Sequence, residues 1–333
     1  MRTILAWLIV AGMVQAAAEP HLRYLPSDTR ATLTIHFPQL GAEERTHGLK
    51  LFSELYRTHL TPELGAEAKL PVSDISHVVV AMPYAGSFNG LILLRGKVDR
   101  AALESQMTRV AKASSSLTVE KMGKPAVAVY TRQLNEKALI ALVPPLEKVP
   151  PRFRKLVAPY EAHVAAADDE TLVISLSGKT QIERALRNRN ATRLRVSDEL
   201  AAVLGKQNGK DATAGILMED SLHPGLALIA DDTLRETFAQ FDHVTLRVIG
   251  GVEVQFVLEV KGKSAEVGPV LEKKFTRMLE IVRELLPTLM PDANKRSVVE
   301  KLLRSFVVTR KEGRIHLTGK IPEMEWRKMY ATE

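Results

Sequence analysis

"ISHVVVAMP" (Ile75–Pro83) and "GLILLRGKVDRAALE" (Gly90–Glu104) are answered far downstream by "FDHVTLRVIGGVEVQFVLEVKGKSAEV" (Phe241–Val267). His77 falls on His243 and Gly96 on Gly262, both 166 positions apart (243 − 77 and 262 − 96). At the same offset Val78, Val80, Ile92 and Leu94 fall on Val244, Leu246, Leu258 and Val260. Each stretch reads as two strands followed by the start of a helix. In the second, Val244, Leu246 and Val248 alternate with Thr245 and Arg247, the period of a strand with one wet face.

The likeness runs on past both stretches. A hairpin follows each helix, "LTVEKMGKPAVAVY" (117–130) and "VVTRKEGRIHLTG" (307–319), with Gly123 and Gly313 in their turns, where a positive φ is wanted. The second copy is longer by 24 residues, within "VLEKKFTRMLEIVRELLPTLMPDANKRSVVEKLLRSF" (270–306), which reads as two helices. A strand precedes each unit, "ATLTIHF" or "ATAGILM", and then helices such as "GLKLFSELYRTHL" or "TLRETFAQ", the latter with a Thr233/Glu236 capping box. One offset held through two strands, a turn and a helix start points to duplication, and two copies are too few for a solenoid. The expected fold is α+β: two related units, each an antiparallel sheet with helices packed on it. The first unit spans 19–195 with a Pro-rich insert at 134–162, and the second spans 196–333.

A further expectation comes from comparing the copies face by face. Thr245, Arg247, Val257 and Glu259 suit water, whereas their first-copy counterparts Val79, Ala81, Leu91 and Leu93 are all apolar. The opposite face is apolar in both, so the first sheet must be covered on both sides. The insert's "KALIALV", with Leu139, Ile140, Leu142 and Val143, is the expected cover. The four apolar residues are also a candidate interaction patch if a partner covers them instead.

Composition bounds the rest. The chain has 333 residues, 45% hydrophobic and 26% charged, as in a folded globular protein. "MRTILAWLIVAGMVQAAAEP" has an early Arg, an apolar run from Ile4 to Val14 and small residues at Ala16–Ala18, the pattern of a secretory signal peptide cleaved after Ala18. The expected localisation is periplasmic or extracellular, with no permanent membrane span after cleavage. There is no cysteine, so disulfides, thiol ligands and a Cys nucleophile are excluded.

No catalytic, cofactor or metal constellation emerges. "SGKT" (177–180) follows a strand, but the Gly that a phosphate loop needs five positions before Gly178 is Val173; a Thr180/Glu183 capping box explains the residues. The nine histidines are scattered with no local ligand spacing, and His77 and His243 read as surface residues at strand entrances. Asp168–Asp169 and Asp231–Asp232 suit turns and caps. Two basic clusters remain. "RFRK" holds Arg152, Arg154 and Lys155, a candidate interaction patch; "RALRNRNATRLR" holds Arg184, Arg187, Arg189, Arg193 and Arg195 around a helix C-terminus, where cations suit the dipole. A protein or acidic surface is the expected partner class, and the 5% aromatic content disfavours nucleic acid.

The order of export signal, "YLPSDTRATLTIHFPQL", helix, "HVVVAMP…GLILLRGKVD" and "DDETLVISLSGKTQIERAL" resembles a group of uncharacterised exported proteins common in planctomycete-type bacteria. The likeness spans most of residues 20–190, and the Pro-rich insert departs from it. The group has no established activity, so the resemblance implies only an exported bacterial α+β protein. The reading is therefore an exported, non-enzymatic binding or interaction protein. A hydrolase with a site between the units and a carrier of an apolar ligand are its rivals.

Overall fold

The computed structural model describes residues 20–40, 42–83, 90–134, 161–175, 179–191, 193–204, 211–218, 236–237, 239–290, 292–311 and 313–329. Residues 1–19, residues 135–160 within the Pro-rich insert and Thr233 lie outside these residues. The chain opens with a 3-10 turn, Pro20–Tyr24, and strand β1 (Ala31–His36). Helix α1 (Ala42–Leu55) runs on through a π turn, Tyr56–Leu60, to β2 (Val72–Met82) and β3 (Leu91–Val98). Helix α2 (Arg100–Ala113) follows, begun by Asp99, whose carboxylate accepts from the Ala102 N–H. Then come β4 (Leu117–Met122), β5 (Val127–Gln133), β6 (Glu161–Ala166) and β7 (Thr171–Ser175).

Helices α3 (Thr180–Arg187) and α4 (Asp198–Leu204) lead into the second half: β8 (Asp211–Met218), β9 (Phe241–Ile249) and β10 (Glu253–Gly262). Helices α5 (Gly268–Leu289) and α6 (Ala293–Ser305), strands β11 (Val307–Lys311) and β12 (Arg314–Pro322), and helix α7 (Glu323–Arg327) complete it. Asp292 caps α6 by accepting from the Asn294 and Lys295 N–H groups. The capping box expected at Thr180 is not formed. Thr180 is already helical, and Lys179 stands at the cap without a side-chain bond.

Twelve strands make one open antiparallel sheet, in the order β11-β12-β10-β9-β8-β1-β2-β3-β7-β6-β5-β4. The sequence leads one to expect two sheets; pairing of β1 with β8 joins them into one. That pairing centres on Leu33 opposite Gly215, flanked by Ala31–Leu217 and Ile35–Thr213. Outward from it, β2–β3 sets Val78 against Leu94 and Val80 against Ile92. Pair β9–β10 sets Val244 against Val260 and Leu246 against Leu258. His36 faces His77 across β1–β2 as Met218 faces His243 across β8–β9. The turn glycines Gly123 and Gly313 have φ of +81° and +74°, so a Cβ there would be strained. In the first half β7 and β6 stand between β3 and β5, while in the second β10 pairs with β12 directly.

One face is helix-covered along its length. Val78, Ile92, Leu94, Leu172 and Ile174 pack with Tyr56, Leu103, Met107 and Val110 of the first half's helices. Val260, Ile315 and Leu317 pack with Leu271 and Phe275 of α5, and Val254 and Ile321 with Val298 and Leu302 of α6. The other face is treated differently in the two halves. Val79, Ala81, Leu91 and Leu93 are buried with Leu22 and Tyr24, with Ile182, Ala185 and Leu186 of α3, and with Leu200 and Leu204 of α4. Their counterparts Thr245, Arg247, Val257 and Glu259 are half-exposed.

Candidate functional site

The four residues Val79, Ala81, Leu91 and Leu93 are covered, and among the described residues the cover comes from the 20–24 turn, α3 and α4; the insert's Leu139, Ile140, Leu142 and Val143 lie outside the described residues. The four are 0, 2, 1 and 0% exposed beneath the 20–24 turn, α3 and α4. They are core in this chain and not an open patch. Burial of a Val or Leu side chain is worth roughly 1.5–3 kcal/mol, which is why this layer is bound to the sheet. Leu134, where the insert begins, packs on the opposite face. Arg152, Arg154 and Lys155 lie outside the described residues.

Polar clasps fix the covering layer. Tyr24 donates its hydroxyl hydrogen to Asp168 Oδ2 at 2.6 Å, and Arg23 Nη2 donates to the same oxygen at 2.8 Å. Burial above all, and then the bond to Asp168, pushes the Tyr24 phenol up to about 12. Burial pushes the Asp168 carboxyl the other way from its hydrogen bonds, and the bonds from Tyr24, the Glu170 N–H and Arg23 leave it below its usual value. Asp168 thus serves its own turn, as its position between strands implies, and also anchors the N-terminal segment. Arg184 pairs with Asp28, and Asn188 Nδ2 donates to the Leu25 carbonyl at 2.9 Å.

On this layer lies a cationic strip. Between positions 179 and 195 there are Lys179, Arg184, Arg187, Arg189, Arg193 and Arg195, and Glu183 is the lone acid. Lys179 is paired with Glu120, Arg184 with Asp28 and Arg187 with Glu183. Among the described residues Arg189, Arg193 and Arg195 have no carboxylate in ion-pair range, and Arg193 and Arg195 are exposed. Asn190 Nδ2 donates to the Lys124 carbonyl at 3.3 Å, which brings the strip against the β4–β5 turn with its exposed Lys121 and Lys124.

Where the cover ends, a cleft of about 210 Å³ opens between α4 and the second half of the sheet. Val203, Ala214, Gly215 and Ile216 form its apolar wall, and His243, Thr245, Arg247, Glu259 and Arg314 the polar one. Register makes this grouping. Ala214 lies opposite Arg247, Ile216 opposite Thr245, and Glu259 opposite both Thr245 and His316, so all share one face. Glu259 is paired with Arg314, and His316 Nδ1 lies 3.7 Å from it. Arg247 Nη1 stands 3.9 Å from Oδ1 of the fully buried Asp211, an ion pair too long for a hydrogen bond. One strand over, Thr32 and Thr34 lie opposite Ile216 and Ala214 on the same face. Both are buried, and among the described residues their hydroxyls make no hydrogen bond.

His243 corrects the sequence reading. It is 7% exposed and lines the cleft. Burial pulls its imidazole below the usual value, against the opposing pull of Asp242, whose Oδ2 is 3.4 Å from Nδ1. His77 is half-buried, its ring edge-on to that of His36 with centroids 4.6 Å apart. Arg314 and Val203 carry no sequence signal of their own. One lies in the hairpin after the second unit's helices and the other on a short helix, and the strand order brings them together. Among the described residues no helix is long and apolar enough to cross a membrane. Comparison with known proteins returned nothing: no family model, no curated protein and no solved structure matches this chain.

Proposed function

We propose that this is an exported, non-enzymatic binding protein built from a duplicated α+β unit, which offers the cationic strip Arg187–Arg195 to an acidic protein surface. Export rests on the first eighteen residues and agrees with the exported group that the first half resembles. The duplication is supported by register. The hairpin pairs Val78–Leu94 and Val244–Val260 differ by 166 at both members, as the aligned sequences require.

The observation that carries the binding reading is the strip itself: three arginines within seven residues with no ion pair among the described residues. A solvated surface ordinarily intersperses both signs, and unbalanced cations steer acidic partners. They sit on a layer pinned by Asn188 and by the buried Ile182, Ala185 and Leu186, so little ordering is left to be done on binding.

The test is to capture partners from the native exported fraction with the mature chain and with an Arg189→Glu, Arg193→Glu, Arg195→Glu variant. The expected result is an acidic protein held by the wild type, released by added salt and not held by the variant. A partner held equally by both, or indifferent to salt, would show that the strip is only a solvated face. Capture of anionic lipid vesicles in place of a protein would reassign the partner to a membrane surface.

A further inference from the structure

We infer that the cleft between α4 and strands β8–β10 is a second, separate binding site, for a small carboxylate carrying a short apolar chain. The inference does not rest on the cationic strip. Its starting point is Arg247. The first-half counterpart of this residue is Ala81, buried under the covering layer, so nothing in the shared architecture calls for a guanidinium here. Its nearest carboxylate oxygen is 3.9 Å away, and among the described residues it spends none of its N–H groups on a hydrogen bond. Five donors in a planar fork, partly exposed at the mouth of a cleft, match a carboxylate bidentately. Asp211 behind it is fully buried and holds the guanidinium in place without occupying those donors.

The remaining lining fits the rest of such a ligand. The wall of Val203, Ala214 and Ile216 gives an apolar chain somewhere to lie. Thr245 can donate to a second carboxylate oxygen. Glu259 does not oppose the anion at full strength, because Arg314 is paired with it. The lining thus presents Arg247 and Arg314 beside Glu259, with Asp211 behind Arg247, and burial holds the His243 imidazole below its usual value. One strand over on the same face, Thr32 and Thr34 carry two buried hydroxyls without a partner among the described residues, where apolar residues would cost less.

Size sets the class. At about 30 Å³ per water-sized group, 210 Å³ admits a ligand of about seven or eight non-hydrogen atoms, below the range of drug-sized sites. Hexanoate is therefore a suitable probe, with hexan-1-ol and hexylammonium as isosteres of different charge.

The experiment is an amide chemical-shift titration of the mature full-length chain with sodium hexanoate. Saturable shifts are expected at Ile216, Thr245 and Arg247, with half-saturation below about 10 mM. Hexan-1-ol and hexylammonium are each expected to bind about tenfold more weakly or worse, and Arg247→Gln to weaken hexanoate by about tenfold or more. Because Arg247→Gln also removes a cation from beside Asp211, Val203→Trp is a second variant that fills the cleft without touching a charge. It should abolish the shifts with the spectrum otherwise unchanged, while Arg193→Ala should leave binding intact. The inference is overturned if no shift saturates, if hexan-1-ol binds as well as hexanoate, or if a folded Val203→Trp chain binds undiminished. Loss of hexanoate binding in Arg193→Ala would place the anion on the strip and overturn it too.

Discussion

Gly96 and Gly262 stand at equivalent places in "LRGK" and "VKGK", yet the structure gives them unequal work. A Cβ built on Gly96 would lie 2.4 Å from the Ser73 carbonyl oxygen, 2.8 Å from Val72 Cγ1 and 3.1 Å from Ile75 Cα. The cause is local: the β2–β3 register jumps between Ser73 and His77, and the bulged backbone, with Asp74 at a φ of +49°, presses against β3. Ordinary contact begins at 3.4 Å, so backbone would have to yield by about 1 Å. Gly96 cannot move away freely, since its N–H donates to the Glu170 carbonyl at 2.9 Å. At Gly262 the nearest atoms to such a Cβ are at 3.4, 3.5 and 3.6 Å. Gly96→Ala is therefore expected to lower the unfolding free energy by about 3 kcal/mol or more, the upper end of overpacking costs. Gly262→Ala should stay within about 1 kcal/mol of wild type, with a small gain from the less mobile unfolded chain. Equilibrium urea unfolding of both variants measures the difference. Equal stabilities, or a Gly262→Ala that is the worse of the two, would refute the reasoning.

Two further expectations follow from burial and pairing. His59, His163 and His243 are each held below the usual imidazole value, chiefly by burial, so the unfolded chain takes up more protons as the pH falls through about 6.5. Stability present above that pH should decline between about pH 7 and the lower folded-state values, then level off, and His163→Gln should make the decline shallower; a midpoint that is flat or rises on acidification contradicts this. A chain ending at Leu204 loses β8 and bares β1. If the halves are copies, β1 should pair with itself about Leu33, as it now pairs with β8 about Leu33 and Gly215, giving a dimer by sedimentation that Thr34→Pro abolishes; a half that stays monomeric counts against the duplication.

Much of the strand framework was legible because alternation and turn chemistry are local. His77, Val78 and Val80 mark β2 through their spacing, and Gly123 and Gly313 mark hairpin turns through the φ they require. What the sequence withheld was long-range. Nothing in "ATLTIHF" or "ATAGILM" says that β1 and β8 pair with each other, so a continuous sheet was read as two. The need to cover Val79, Ala81, Leu91 and Leu93 was readable from the four residues themselves, but the identity of the cover was not. Helices α3 and α4 are short amphipathic segments whose partners lie roughly a hundred residues earlier, and the insert's denser apolar run looked the better candidate. Thr180 with Glu183 has the composition of a capping box, yet the helix starts one residue earlier than that motif needs.

The contrast between the halves explains why a cleft occurs where it does. On the helix-covered face both halves bury aligned residues, Val78 and Leu94 with Leu103 and Met107, Val260 with Leu271 and Phe275. The other face goes from four buried apolar residues to four half-exposed ones, three of them polar, across strands hydrogen-bonded into one sheet. A sheet cannot pass from covered to uncovered without a step, and among the described residues Val203 is the covering side chain at that step. The first strands beyond it are β8 and β9, whose residues must then serve two environments at once. Ile216 is 1% exposed under the layer, while Arg247, one strand on, reaches water. Apolar wall and polar wall therefore meet at one line as a consequence of the layer's edge. A chain needing only to close its core could have filled that line with small residues, as Gly215 and Ala214 do on β8. Across from them it carries Arg247, Glu259 and Arg314, charged groups that cost desolvation to hold at a partly buried edge and that packing alone does not require.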